Sequence, residues 1–75
     1  MPKVVFHHQQ IIKLPRLLDM EYRPSELSSE IGVSQSVVYQ TYIPAGCPHR
    51  RDKQGSIWIH GTSFRLWALE IHERN

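Results

Sequence analysis

The chain has a single cysteine, Cys47, so no internal disulfide can staple it, and a disulfide-built secreted scaffold is excluded. No apolar run approaches the ~18 residues of a membrane span. Met1-Pro2-Lys3 leads into no signal-peptide core, and there is no internal repeat or low-complexity tract. Bulk is also lacking. A chain of 75 residues allows one domain. Such a domain buries only about 60% of its unfolded surface, which leaves little room for an enzyme cleft. Hydrophobic content of 40% against 21% charged residues fits a globular chain rather than a disordered one. The expectation is a small domain of a reducing compartment, the cytoplasm, with no membrane association.

Charge of one sign is scarce too: the net value is +2. Its placement is informative. In residues 1–31, Lys3, Lys13, Arg16 and Arg23 are balanced by Asp19, Glu21, Glu26 and Glu30. In residues 61–75, Arg65 and Arg74 are balanced by Glu70 and Glu73. The whole excess falls between them, as Arg50, Arg51 and Lys53 against Asp52 alone. A cationic cluster attracts polyanions.

The N-terminal Lys3-Val4-Val5-Phe6 reads as a short strand or an arm. The segment from His7 to Lys13 has no clean period. Pro15 suits a first helical turn, and Leu17, Leu18 and Met20 give a short helical patch ending near Tyr22, which is expected in the core. From Arg23 the signals sharpen. Pro24 opens a helix with early acids, and Leu27 and Ile31 share a face. Gly32 ends it in the left-handed conformation. Ser34 is an N-cap for a second helix of about residues 34–43, with Val38 and Tyr42 inward and Pro44 as its stop. His49–Arg51 and Ser56–His60 read as two strands joined by Asp52-Lys53-Gln54-Gly55, a hairpin of about residues 49–60. Gly61-Thr62-Ser63 supplies breakers and caps for a last helix, where Phe64, Trp67, Ala68 and Ile71 form a buried stripe. The fold class is mostly α with a small β-hairpin (α+β): residues 1–21 an N-terminal arm or short helix, residues 22–75 a domain ordered helix, turn, helix, hairpin, helix.

Pro24-Ser25-Glu26-Leu27-Ser28-Ser29-Glu30-Ile31-Gly32-Val33-Ser34, then Val37-Val38-Tyr39, then Ala45-Gly46-Cys47-Pro48-His49-Arg50-Arg51 carry a likeness, completed by a strand feeding the Trp67 helix. Over roughly residues 22–72 the chain resembles the winged helix-turn-helix domains of the MerR and excisionase type. The resemblance implies double-stranded DNA binding, with the second helix in the major groove and the hairpin wing on an adjacent groove or the backbone. It also implies a prokaryotic, phage or mobile-element setting, in which the chain acts as an excisionase-like recombination factor or a transcriptional regulator.

The residue chemistry agrees. With Val38 and Tyr42 packed inward, Gln35, Ser36, Tyr39 and Gln40 face outward as candidate base readers. Gln pairs bidentately with adenine, and Tyr reaches phosphate or a thymine methyl. This helix carries no charge, so the cations must come from elsewhere. Arg50, Arg51 and Lys53 are the expected phosphate or minor-groove contacts, with Ser34, His49 and Arg23 as further candidates. So few cations imply modest affinity, hence homodimerisation or cooperative assembly on DNA, with a recombinase or the transcription machinery as a further partner.

Other readings compete. Winged helices also serve as protein-interaction adaptors, and Val4-Val5-Phe6 would then pair with a partner's sheet edge. Trp58 is either a wing contact or, more ordinarily, packed on a neighbouring helix or the N-terminal segment. Cys47, His49 and His60 offer metal-ligand types without paired-ligand spacing, and Cys47 beside His49 lacks an orienting third group for catalysis. Neither an enzyme nor a cofactor is expected.

Overall fold

The computed structural model describes residues 4–74; Lys3 of the expected N-terminal strand or arm lies outside them. The described residues form a small α+β fold of four helices and a three-stranded antiparallel sheet. In chain order these are α1 (His8–Ile11), a 3-10 turn (Leu14–Arg16), β1 (Glu21–Tyr22), α2 (Pro24–Ile31), α3 (Gln35–Val37), a π-helical turn (Val38–Tyr42), β2 (Arg50–Arg51), β3 (Ile57–His60) and α4 (Gly61–Arg74). No described helix is long and apolar enough to cross a membrane.

α2 forms where the sequence signals it. Pro24 occupies the first turn, and the Arg23 N–H donates to Glu26 Oε1 at 3.0 Å. Leu27 and Ile31 turn wholly inward. The buried Ser28 hydroxyl is satisfied by the Ser25 carbonyl one turn earlier, at 2.8 Å. Gly32 then takes φ +76°, a left-handed conformation that suits glycine. Ser34 holds the N-cap backbone position of α3, but its hydroxyl meets Ser36 Oγ at 3.3 Å rather than capping the helix. The second helix does not continue as an α-helix to Ile43. After Val37 it widens into the π turn, in which the Ile43 N–H reaches the Val38 carbonyl five residues back. Val38 and Tyr42 remain inside.

Three expectations are corrected. The patch from Leu17 to Tyr22 is not helical: Leu17 is extended (φ −68°, ψ 126°), and Leu18 and Met20 are exposed. That stretch must instead reach the sheet, where Glu21 pairs with His60 and Tyr22 with Ile59. Val4-Val5-Phe6 is not a strand. Val4 and Phe6 are buried, and the Phe6 ring lies 5.3 Å from Tyr42, 6.2 Å from Phe64 and 6.0 Å from Trp67 between centroids. Gly61 is not a breaker but the first residue of α4. A Cβ there would collide with the Leu18 carbonyl and the Tyr22 ring, so glycine is what lets this helix start against the chain entering β1.

Phe64 and Ala68 of α4 are fully buried, with Trp67 and Ile71 packed at the core's edge. The hairpin has Arg50 opposite Trp58 and Arg51 opposite Ile57. Side chains alternate across a sheet, so Tyr22, Ile57, Ile59 and Arg51 share the face turned to the core and helices. Glu21, Arg50, Trp58 and His60 share the outer face.

Candidate nucleic-acid interface

The start of α2, the α3 segment and the hairpin converge on one open groove lined by Arg23, Pro24, Ser25, Gln35, Tyr39, Arg51, Gly55, Ser56 and Ile57. Its volume is about 280 Å³. Two arginines and no carboxylate line it. Neither Arg23 nor Arg51 forms an ion pair among the described residues; the Arg51 guanidinium donates to the Gly55 carbonyl at 3.4 Å.

The sequence-derived candidates divide over this geometry. Gln35, Tyr39, Arg51 and Arg23 come together in the groove. Ser34, Ser36 and Gln40 are exposed nearby on the same helical segment without lining it, and Lys53 is exposed at the hairpin tip. Arg50 and His49 lie on the other side, in a second hollow of about 230 Å³ with Glu21, Pro48, Trp58, His60 and Ser63. Arg50 is neutralised there by Glu21, with Nη2–Oε2 at 2.7 Å and Nε–Oε1 at 3.1 Å. Ser25 and Ser56 join the groove although sequence reasoning does not single them out. Their only sequence signal is a place beside a helix start and a turn.

Asp52 holds the hairpin turn. Its Oδ1 accepts the N–H groups of Gln54 and Ser56, each at 2.9 Å, and its Oδ2 accepts the Trp58 indole N–H at 3.1 Å. The Trp58 hydrogen bond, with those of Ser56 and Gln54 and the nearby Arg50 charge, holds the carboxyl below the usual aspartate range. Trp58 is partly buried on the outer face of β3. Its ring carries the Arg23 guanidinium at 4.9 Å and that of Arg50 at 5.8 Å, both within cation–π range. An indole half-open to solvent is tolerable there because both its N–H and its face are occupied.

The other reactive side chains are engaged structurally. Cys47 is buried and its thiol is pushed up to about 12 by burial. Tyr42 is likewise raised to about 12, by burial first and then by Cys47. His49 Nδ1 sits 2.7 Å from the Cys47 carbonyl rather than from its sulfur. His60 Nε2 meets Asp19 Oδ1 at 3.0 Å, and the Thr62 hydroxyl donates to the same oxygen at 2.9 Å. Among the described residues no three His, Cys, Asp or Glu side chains cluster as metal ligands. Comparison with protein-family models, curated proteins and solved structures returned no match.

Proposed function

We propose that the chain is a winged helix-turn-helix domain that binds double-stranded DNA sequence-specifically. In this reading the segment 34–43 enters the major groove and the hairpin 49–60 lies on the adjacent backbone or minor groove. The observation that carries the reading is the convergence of Gln35 and Tyr39 with Arg23 and Arg51 in one groove that has no carboxylate in its lining. Amide and phenol groups supply base-edge chemistry, and the two unpaired guanidiniums supply the phosphate contacts that an uncharged helix lacks. Val4 and Phe6 are buried in the chain's own core while Val5 stays exposed, which favours the DNA reading over pairing of that arm with a partner's sheet edge.

So small a set of free cations supports modest affinity per molecule, with neighbouring copies on repeated sites or a dimer making up the difference. A role as an excisionase-like recombination factor and a role as a transcriptional regulator both fit such a module. A recombinase or the transcription machinery would be the partner respectively.

The test is selection from randomised duplexes, followed by binding to the selected site across a salt series. Arg51→Gln is expected to lower the salt slope by about one unit. Arg50→Gln should change it much less, because Glu21 already neutralises that side chain. Gln35→Ala and Tyr39→Ala should alter the selected sequence. Absence of any salt-dependent binding by the unaltered protein, at low salt and with every duplex, would sink the reading.

A further inference from the structure

The geometry points to Trp58 as a positioning residue that restrains the side chain of Arg23, a groove residue, and couples it to the folded hairpin. The inference rests on the DNA-binding reading for its consequence, though not for its geometry. Trp58 lies on the outer face of β3 and is absent from the groove lining. Nevertheless its ring is 4.9 Å from Arg23 Cζ, and Arg23 is a groove residue. The indole cannot turn freely, because its N–H is held by Asp52 Oδ2 at 3.1 Å while Asp52 Oδ1 holds the turn through two backbone N–H groups.

The chain of contacts therefore runs from the hairpin turn, through a fixed aromatic plane, to a cation at the start of α2. Arg23 forms no ion pair among the described residues, so the ring face is the contact that restrains its head group. An arginine side chain has many rotamers, and holding one of them in advance removes an ordering cost from binding. Arg50, the other guanidinium at this ring, is committed to Glu21. The indole thus presents Arg23 alone as a usable cation.

Two arms test this. In the free protein, NMR of the Arg23 side chain should show ring-current shifts of its Hδ and Hε resonances, which Trp58→Leu abolishes and Trp58→Phe largely keeps. Unshifted Arg23 resonances in the unaltered protein would overturn the inference whether or not any DNA binds. The second arm measures duplex affinity for Trp58→Leu, Arg23→Gln and the double variant, with circular dichroism checking the fold of each. If Trp58 acts through Arg23, each single change weakens binding severalfold and the double variant binds no more weakly than Arg23→Gln. Multiplicative losses in the double variant would show that Trp58 merely holds the hairpin, and would overturn the inference. Trp58→Phe supplies the comparison if Trp58→Leu fails to fold. A protein that binds no duplex defeats the proposed function, and the NMR arm still decides the positioning.

Discussion

Arg50 and Arg51 are adjacent, carry the same charge and belong to the same short strand, yet they meet opposite surroundings. Arg51 opens onto the groove beside Gln35 and Tyr39, with no carboxylate in the lining and no ion pair among the described residues. Arg50 points to the outer face, where Glu21 of the far strand closes on it across β3. The pleat causes the split: one residue along a strand reverses the face. A run of cations in a sequence is therefore not a patch. On a strand it is divided between two surfaces, and the partner waiting on each decides how much of the charge is left to act on anything else.

The largest test of this two-faced arrangement is structural. Ile59 anchors the inner face and is fully buried, whereas the side chain of its neighbour His60 is partly exposed and meets Asp19. Ile59→Ala should lower unfolding stability by about 2–5 kcal/mol, a large share of what a domain this small holds. His60→Ala should cost less than about 1 kcal/mol, the usual worth of a surface pair. Urea denaturation distinguishes them, and equal losses would show that the two faces are not packed differently.

A smaller effect is expected from Glu21→Gln, which removes the acid that neutralises Arg50. If the chain binds DNA as proposed, this change should tighten duplex binding at low salt severalfold and steepen the salt slope by up to about one unit. The gain should disappear in an Arg50→Gln background. A gain that persists there would mean that Glu21 acts on the overall field of the protein rather than through this pair.

The smallest effect concerns acid. The Asp52 carboxyl titrates lower when folded than when unfolded, so its contribution to stability is fully present above the unfolded value of about 4. It is lost as pH falls through the lower folded value. The Trp58 indole N–H should accordingly exchange faster with solvent as the pH falls through that lower value, before the core opens. Asp52→Ala should show fast exchange already at pH 7. Indole exchange that follows global unfolding at every pH would remove Asp52 as the holder of the turn.

Much of this was legible in the residues. Pro24, the Leu27/Ile31 spacing and Gly32 mark α2 because a helix start, an inward face and a left-handed stop each demand particular side chains. Val38 and Tyr42 were readable as inward by their spacing alone. The site was readable in part: Gln35, Tyr39, Arg51 and Arg23 meet in the groove, while Arg50 and His49 do not. β1 was hidden because two residues carry no period and their partners, Ile59 and His60, lie far along the chain. The π turn was hidden because its wider hydrogen bonding leaves no mark in the apolar pattern. Phe6 gave no sign of its place, since an apolar residue in an aperiodic segment does not reveal which rings it will meet.

The sequence by itself determined the order of helices and hairpin from Pro24 onward and where the charge excess lies, since both follow from local preferences and from counting. Only the tertiary structure decided which of those charges remain free. That depends on Glu21 reaching Arg50 from 29 positions away, on Trp58 standing under Arg23, and on the register of β3 between its two neighbours. These are contacts between distant parts of the chain. Local preference cannot encode them, because they exist only once the core around Ile59, Phe64 and Tyr42 has brought the strands together.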